Sequence, residues 1–357
     1  MKGTQIKRNT ALDGVRTIAI TLVVASHTGI LGQGGFGNVI FFCLSGFFAS
    51  VPFKNDVEKE FLSIRKILNY YFNRLVRILP IYYVIIGTIY VVTGGFFASP
   101  MNFLKNMLFI EANSHLWFLQ QEMVMYLCMP FIFILVAGVK SIIRFKYNDL
   151  GCAVFLTVLA FIAYRYLTVD IFYLNGNGSH VELRLGQFLI GVALGYLYKA
   201  YRISKIDLSS STVARVICDC IVAAFLAFAV LSSAQILGRI NPDYQTFYIG
   251  WQMPMLCTTA TAVLIAALLL SPSGLLARIL GCKWSAYIGE ISFGIYLIHM
   301  FLVPHFNFGS KIVNFIVLYL VSIVISTVLH IVVEKPSIVF AKSKSVKAVI
   351  EYYRSLV

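Results

Sequence analysis

Charge is scarce in this chain, and negative charge scarcest. Its 357 residues hold 15 Asp and Glu against 29 Lys and Arg, and charged residues together make up 12%. Soluble domains carry about 25%, so a soluble globular protein is excluded. Linkers are missing too: no Pro-, Gly- or Ser-rich tract, no low-complexity segment and no internal repeat divides the chain, which points to one domain over residues 1–357. None of the seven cysteines falls in a predicted outer loop, so no structural disulfide is expected. Cys218 and Cys220 have the wrong spacing for a zinc pair, and no metal is implied. Despite a net charge of +14, no nucleic-acid motif is present. A cleaved leader is not expected, because no small-x-small site follows the first apolar run.

What the chain has is apolar residues, 59% of it, with a mean hydropathy of +0.83. Ten apolar segments recur, at 15–31, 36–53, 79–98, 116–138, 150–168, 183–200, 215–237, 247–270, 286–304 and 312–334. Most approach the ~20 residues that a helix needs to cross a bilayer. With the N-terminus inside, 24 of the 29 Lys and Arg fall on the inner side, the bias that sets orientation. The expected fold is an all-α integral membrane protein with ten transmembrane helices and both termini cytoplasmic. Within 54–78, Phe61, Ile64, Leu68, Phe72, Leu75 and Ile78 recur at three- and four-residue steps among basic residues, which predicts an interfacial amphipathic helix. "GVALG" at 191–195 is a small-xxx-small pair, read as helix packing.

The first segment, "ALDGVRTIAITLVVASH" (11–27), carries three residues that are costly in a bilayer: Asp13, Arg16 and His27. At 100° per residue, Arg16 and His27 lie roughly 20° apart on one helix face, and Asp13 about 40° from His27. At 1.5 Å per residue, His27 stands roughly 16 Å beyond Arg16. Two readings are open. The stripe lines a cleft with a charge at its inner mouth and a titratable ring deeper in. Alternatively, Asp13 pairs with Arg16 at i,i+3 and His27 bonds a neighbouring helix.

An arginine, ten residues and a histidine after "LDG" resemble the opening of the membrane-bound acyltransferase-3 family. "FFCLSGFF" (41–48), "NRLVRILPIY" (73–82) and "HLWFLQQEMVMYLCMP" (115–130) follow in that family's order, as do "RLGQFLIGVALGYL" (184–197), "IGEISFGIYLIH" (288–299) and "VVEKP" (332–336). The resemblance implies transfer of an acyl group, most often acetyl, from cytoplasmic acyl-CoA to a hydroxyl of a surface polysaccharide, in a bacterial inner (plasma) membrane. The implied partners are membrane lipids, the acyl-CoA donor and a glycan acceptor, with no nucleic acid. Some relatives carry an extra C-terminal hydrolase-like domain; this chain is expected to lack it.

His27 is then the leading catalytic candidate, because a neutral imidazole suits the general base for an attacking hydroxyl; a covalent acyl-imidazole is the alternative. Arg16, Arg74 and Arg77 fall at the inner face. The last two, at i,i+3, offer guanidinium forks to the donor's phosphates, or else serve orientation alone. His115 and Glu122, seven residues apart, share a face about 10 Å apart in depth. Glu122 either orients His27 or holds an acceptor hydroxyl, or is a buried packing link. Trp117 is a sugar-stacking face or an interface anchor. Arg184, with Arg165 and Glu182, meets an acceptor or pairs within that cluster. Ser45 is a weak nucleophile candidate, since a small polar residue before glycine often serves close packing. On a straight helix Glu290 and His299 point nearly opposite ways; His299 reads as a satisfied buried histidine and Glu290 as a partner for the inner arginines. Glu334 is expected to pair with an inner arginine. The rival classes are a transporter or flippase of a lipid-linked sugar, which inverted repeats would favour, and a structural partner in polysaccharide export.

Overall fold

The computed structural model describes residues 9–50, 63–143, 148–166, 172–173, 180–181, 184–204, 208–240, 252–343, 351–353 and 355. Nearly all of them are helical. The helices are α1 (Thr10–His27), α2 (Gly34–Ser50), α3 (Ile64–Thr93), α4 (Pro100–Met107) and α5 (Trp117–Ile142). Next come α6 (Asn148–Tyr166), α7 (Leu185–Ser204), α8 (Thr212–Leu231), α9 (Ala234–Ile240) and α10 (Gln252–Leu270). The last are α11 (Leu275–Leu280), α12 (Lys283–Glu290), α13 (Ser292–Leu302), α14 (Lys311–Leu329) and α15 (Lys335–Ser343). Two short strands, Phe172–Tyr173 and His180–Val181, pair antiparallel with Phe172 opposite Val181.

Polar side chains mark several helix starts. Asn9 accepts from the Ala11 N–H at 3.0 Å, Ser99 caps α4 ahead of Pro100, and Ser211 caps α8 through Ala214. Helices stand at all ten segments expected from hydropathy. Five of the described helical stretches are long and apolar enough to cross a membrane: Ile64–Thr93, Ser114–Ile142, Thr212–Leu231, Met253–Leu270 and Lys311–Ser343. The bent pair Lys283–Glu290 and Ser292–His305 makes a sixth if counted as one span, and Gly34–Ser50 and Asn148–Tyr164 are apolar but shorter.

Three expectations need correction. The described part of the anticipated interfacial helix is not separate: residues 64–78 run without a break into the third apolar segment as one 30-residue helix. Pro80 removes only the donor to the carbonyl four residues back, and a transmembrane helix tolerates that loss. At 1.5 Å per residue α3 is about 45 Å long, so it outruns a ~30 Å hydrocarbon core by roughly ten residues. Residues 54–62 lie outside the described residues. The first helix also begins and ends earlier than hydropathy suggests, with His27 as its last residue, because Gly29 turns the chain at φ 75°. The ninth segment is not a straight helix but breaks at Ile291, so an angular argument relating Glu290 to His299 does not apply.

The chain divides into two compact groups of helices. In the first, α2 packs against α1 and α7, α6 lies along α7, and α10 joins α2, α7 and α8. Close approach depends on glycine. A Cβ on Gly191 of α7 would run into the Cys43 carbonyl of α2, one on Gly195 into Ser50, and one on Gly46 of α2 into the Phe188 carbonyl. The small-xxx-small pair is thus a packing device. Phe36 fills the core against Phe225 and Phe228, with ring centroids at 5.4 and 5.6 Å.

In the second group, α15 and the turn before it pack on α3, and α4 packs on α3. Helix α14 is apolar outside and polar inside: Leu320, Val324 and Val328 are exposed, whereas Ser322 and Ser326 are buried. That inversion suits a helix whose outer solvent is lipid. It ends in a π-helical turn, His330–Glu334. Tyr352 and Tyr353 donate to the carbonyls of Ile331 and Val332 within that turn, at 3.0 and 2.6 Å.

Candidate functional site

In the first group the site residues hang on α1. Arg16 donates Nη1–H to Asp13 Oδ1 at 2.9 Å, with Asp13 buried and Arg16 half-buried. The Arg16 guanidinium also lies 4.6 Å from the ring centroid of Phe48 on α2. The i,i+3 pairing read from the sequence is therefore present. A Cβ on Gly14 would strike the Leu280 carbonyl, and one on Gly289 the Asp13 carbonyl, so α12 lies directly on the first turns of α1. Thr17 strengthens that seam by donating to the Ser285 carbonyl at 2.5 Å. Half-buried Glu290, next to Gly289, consequently stands at the Asp13–Thr17 level of α1.

His27 sits about 16 Å further along the same helix. It is the last helical residue and its side chain is exposed. Ser45 is half-buried on α2 beside Gly46, at the contact with α7. Arg184 is half-buried just before α7 and within electrostatic reach of Tyr164. Glu182 and the side chain of Arg165 lie outside the described residues.

The second group holds three clusters. Buried Tyr126 donates its hydroxyl to buried Glu122 Oε1 at 2.7 Å, one turn apart on α5. The guanidinium of Arg74 lies 4.9 Å from the Tyr126 ring and 5.6 Å from the Tyr70 ring, within electrostatic reach of Glu122. Arg77, one turn on, is exposed. The two forks expected to act alike are thus in different surroundings: Arg74 is tucked among tyrosines beside a carboxylate, and Arg77 is open.

His115 and His299 form the second cluster, with ring centroids 5.3 Å apart. Both are buried. His115 Nε2 lies 3.0 Å from the Leu297 carbonyl, and His299 Nδ1 lies 2.7 Å from the Tyr296 carbonyl. A carbonyl only accepts, so these nitrogens carry the protons. Tyr296 returns a bond to the His115 carbonyl at 2.8 Å. His299 is therefore buried with its Nδ1 bonded within its own helix, and His115 is its companion in tying α13 to the start of α5. Trp117 is half-buried and meets Phe118 edge-on.

In the third cluster Glu334 pairs with His330 at 2.8 Å across the π-turn, both residues buried. Its partner is thus a histidine one turn earlier on its own helix and not an arginine. π-Turns are rare and frequent at functional sites. Sequence reasoning missed Tyr126, Tyr70 and His330. Each stands four residues from a residue it did single out, and i,i+4 spacing was the available signal. Among the described residues, no group of three or more His, Cys, Asp or Glu is placed to hold a metal.

Comparison with known proteins gives a consistent picture. A family model described as an acyltransferase domain matches residues 9–334. A protein of Staphylococcus aureus strain COL named as a candidate O-acetyltransferase is 25% identical over 319 residues, covering 81% of this chain and 49% of that protein. O-acetyltransferase OatA of strain NCTC 8325 is 24% identical over 327 residues, covering 83% and 51%. The chain thus spans about half the length of the curated relatives it matches. No solved structure is significantly similar.

Proposed function

Because the chain belongs to the acyltransferase-3 family, we propose that it moves an acyl group, acetyl first among them, from cytoplasmic acyl-CoA to a hydroxyl of a surface glycan. One observation supports this reading most: the histidine of the family's opening motif ends α1 with an exposed ring, while the motif's arginine is anchored eleven residues away by Asp13. The acceptor oxygen attacks the thioester carbon as a ring nitrogen of His27 takes its proton. The C–S bond then breaks, and the imidazolium returns that proton to the leaving thiolate, giving ester and free CoA. The only catalytic group this route needs is an imidazole that both partners can reach.

Donor recognition falls to guanidinium groups. We assign Arg77, exposed, and Arg16, braced by Asp13 and Phe48, to the phosphates, with Arg74 held in place by Tyr70, Tyr126 and Glu122. Glu122 acts on this reading as a positioning residue for Arg74. The inner (plasma) membrane, with both termini cytoplasmic, is the setting that the charge distribution favours.

The test is turnover of radiolabelled acetyl-CoA by purified protein in proteoliposomes, wild type against His27→Ala. Loss of a general base costs about 10²–10⁴-fold in rate, so the variant should bind acetyl-CoA normally and turn over at least a hundredfold slower. Wild-type turnover by His27→Ala would refute the assignment of His27. No binding of acetyl-CoA by wild type would refute the donor.

A further inference from the structure

The π-turn between α14 and α15 leaves two backbone acceptors without their ordinary helical donors. In an α-helix each carbonyl accepts from the N–H four residues further on. Lys335 instead gives its N–H to the His330 carbonyl, five residues back, so the Ile331 carbonyl loses its α-helical donor. The Val332 carbonyl loses its donor for a different reason: residue 336 is proline, which has no N–H. An acceptor left unpaired away from water is costly, so two consecutive carbonyls here need partners from elsewhere.

Two neighbouring tyrosines supply them. The Tyr352 hydroxyl donates to the Ile331 carbonyl at 3.0 Å, and the Tyr353 hydroxyl to the Val332 carbonyl at 2.6 Å. Their ring centroids are 5.6 Å apart with the planes at 61°, so adjacent residues present both hydroxyls to one turn. The match is one donor for each deprived carbonyl, from residues 21 positions away. What the turn carries is His330 Nδ1 at 2.8 Å from Glu334 Oε2, with side chains 2% and 3% exposed. A carboxylate bonded to one imidazole nitrogen sets the ring's orientation and tautomer. A return to α bonding would turn Glu334 and α15 by up to ~100°, the rotation of one residue, and so displace the carboxylate from its place beside His330.

We propose that Tyr352 and Tyr353 are positioning residues: their hydroxyls replace the two backbone donors that the π-turn lacks, and so hold Glu334 of the "VVEKP" motif against His330 for acyl transfer. The proposal rests on the acyl-transfer reading for its catalytic consequence, and on the geometry of this turn for the clasp itself.

The test is the ring ¹⁵N spectrum of histidine-labelled protein in nanodiscs, with the His330 signals assigned by their loss in His330→Gln and the broken pair represented by Glu334→Ala. Tyr352→Phe and Tyr353→Phe each remove one hydroxyl and little else. Both should move the His330 signals toward those of Glu334→Ala, while the His115 and His299 signals stay in place; a general loosening of the helices would move all three. Pro336→Ala restores an N–H four residues after Val332. It should therefore return the His330 signals to their wild-type positions in the Tyr353→Phe background but not in Tyr352→Phe, whose carbonyl lost its donor to His330 and not to proline. His330 signals unmoved in both phenylalanine variants, or rescue by Pro336→Ala in both backgrounds or in neither, overturns the clasp. Acetyl transfer from acetyl-CoA, measured on the same proteins, should fall about 2–10-fold for each phenylalanine, the worth of one neutral hydrogen bond. If the His330 signals behave as expected in a protein that never transfers acetyl, the enzyme reading fails and the clasp stands. If transfer proceeds unchanged while those signals move, the enzyme reading stands and the positioning role is refuted.

Discussion

Adding one methyl group at Gly191 should destabilise the protein, whereas the same change at Gly87 should not. In an exposed helix interior, glycine to alanine gains about 0.5–1 kcal/mol, because alanine forfeits less backbone freedom on ordering. Gly87 on α3 has nothing within 4 Å of the position a Cβ would take, so Gly87→Ala should realise that gain. At Gly191 the new atom would collide with the Cys43 carbonyl and crowd the Phe47 N–H, both backbone atoms of α2 that no rotamer change can move. Helices α2 and α7 would have to part by about 1 Å, and a gap of that size forfeits a quarter to a half of each dispersion contact across it. Overpacking of this kind costs about 1–3 kcal/mol. Set against the propensity gain, the net loss is about 1–2 kcal/mol. Thermal unfolding in nanodiscs, followed by helical circular dichroism, should put Gly191→Ala a few degrees below wild type and Gly87→Ala at or above it. If the two variants shift together, in either direction, the close approach of α2 and α7 is wrong.

Two further substitutions probe the candidate site. Tyr126→Phe removes the hydroxyl that donates to buried Glu122 at 2.7 Å and should cost about 1.5–3 kcal/mol, the range for a hydrogen bond to a charged group. Tyr71→Phe, which loses only an exposed bond to the Leu127 carbonyl, should shift the melting temperature far less; equal shifts would mean that the Glu122 link carries no special weight. Asp13→Ala removes the carboxylate to which Arg16 donates, and about 1–2 kcal/mol should be lost at this partly buried pair. Asp13→Asn, keeping the shape and one acceptor oxygen, should lose less. A rise in the KM for acetyl-CoA in Asp13→Ala should accompany the melting shift if Arg16 contacts the donor.

Composition and order along the chain determined most of the architecture. A chain this poor in charge has few ways to stay folded in water, and apolar segments near 20 residues long satisfy their backbone in lipid only as helices. Helices accordingly stand at all ten segments, and the Asp13–Arg16 pair and the packing glycines at 191 and 195 could be read from spacing alone, because i,i+3 and i,i+4 neighbours meet on any helix. The family motifs, too, are local strings. What spacing cannot carry is where a helix stops or breaks, and what lies across from it. Hydropathy does not distinguish an interfacial stretch from the start of a long helix, so α3 was divisible in sequence and continuous in space. Nor does it register the break at Ile291, or the π-turn that sets His330 against Glu334. Arg74 and Arg77 look alike in sequence and differ only because Tyr126 and Glu122, about 50 residues later, come to rest beside one of them. The polar cluster between α3 and α5 is a further case: Asn102, Lys105 and Asn106 stand on α4, Glu111 and Asn113 in the connection after it, and only folding brings them to one place.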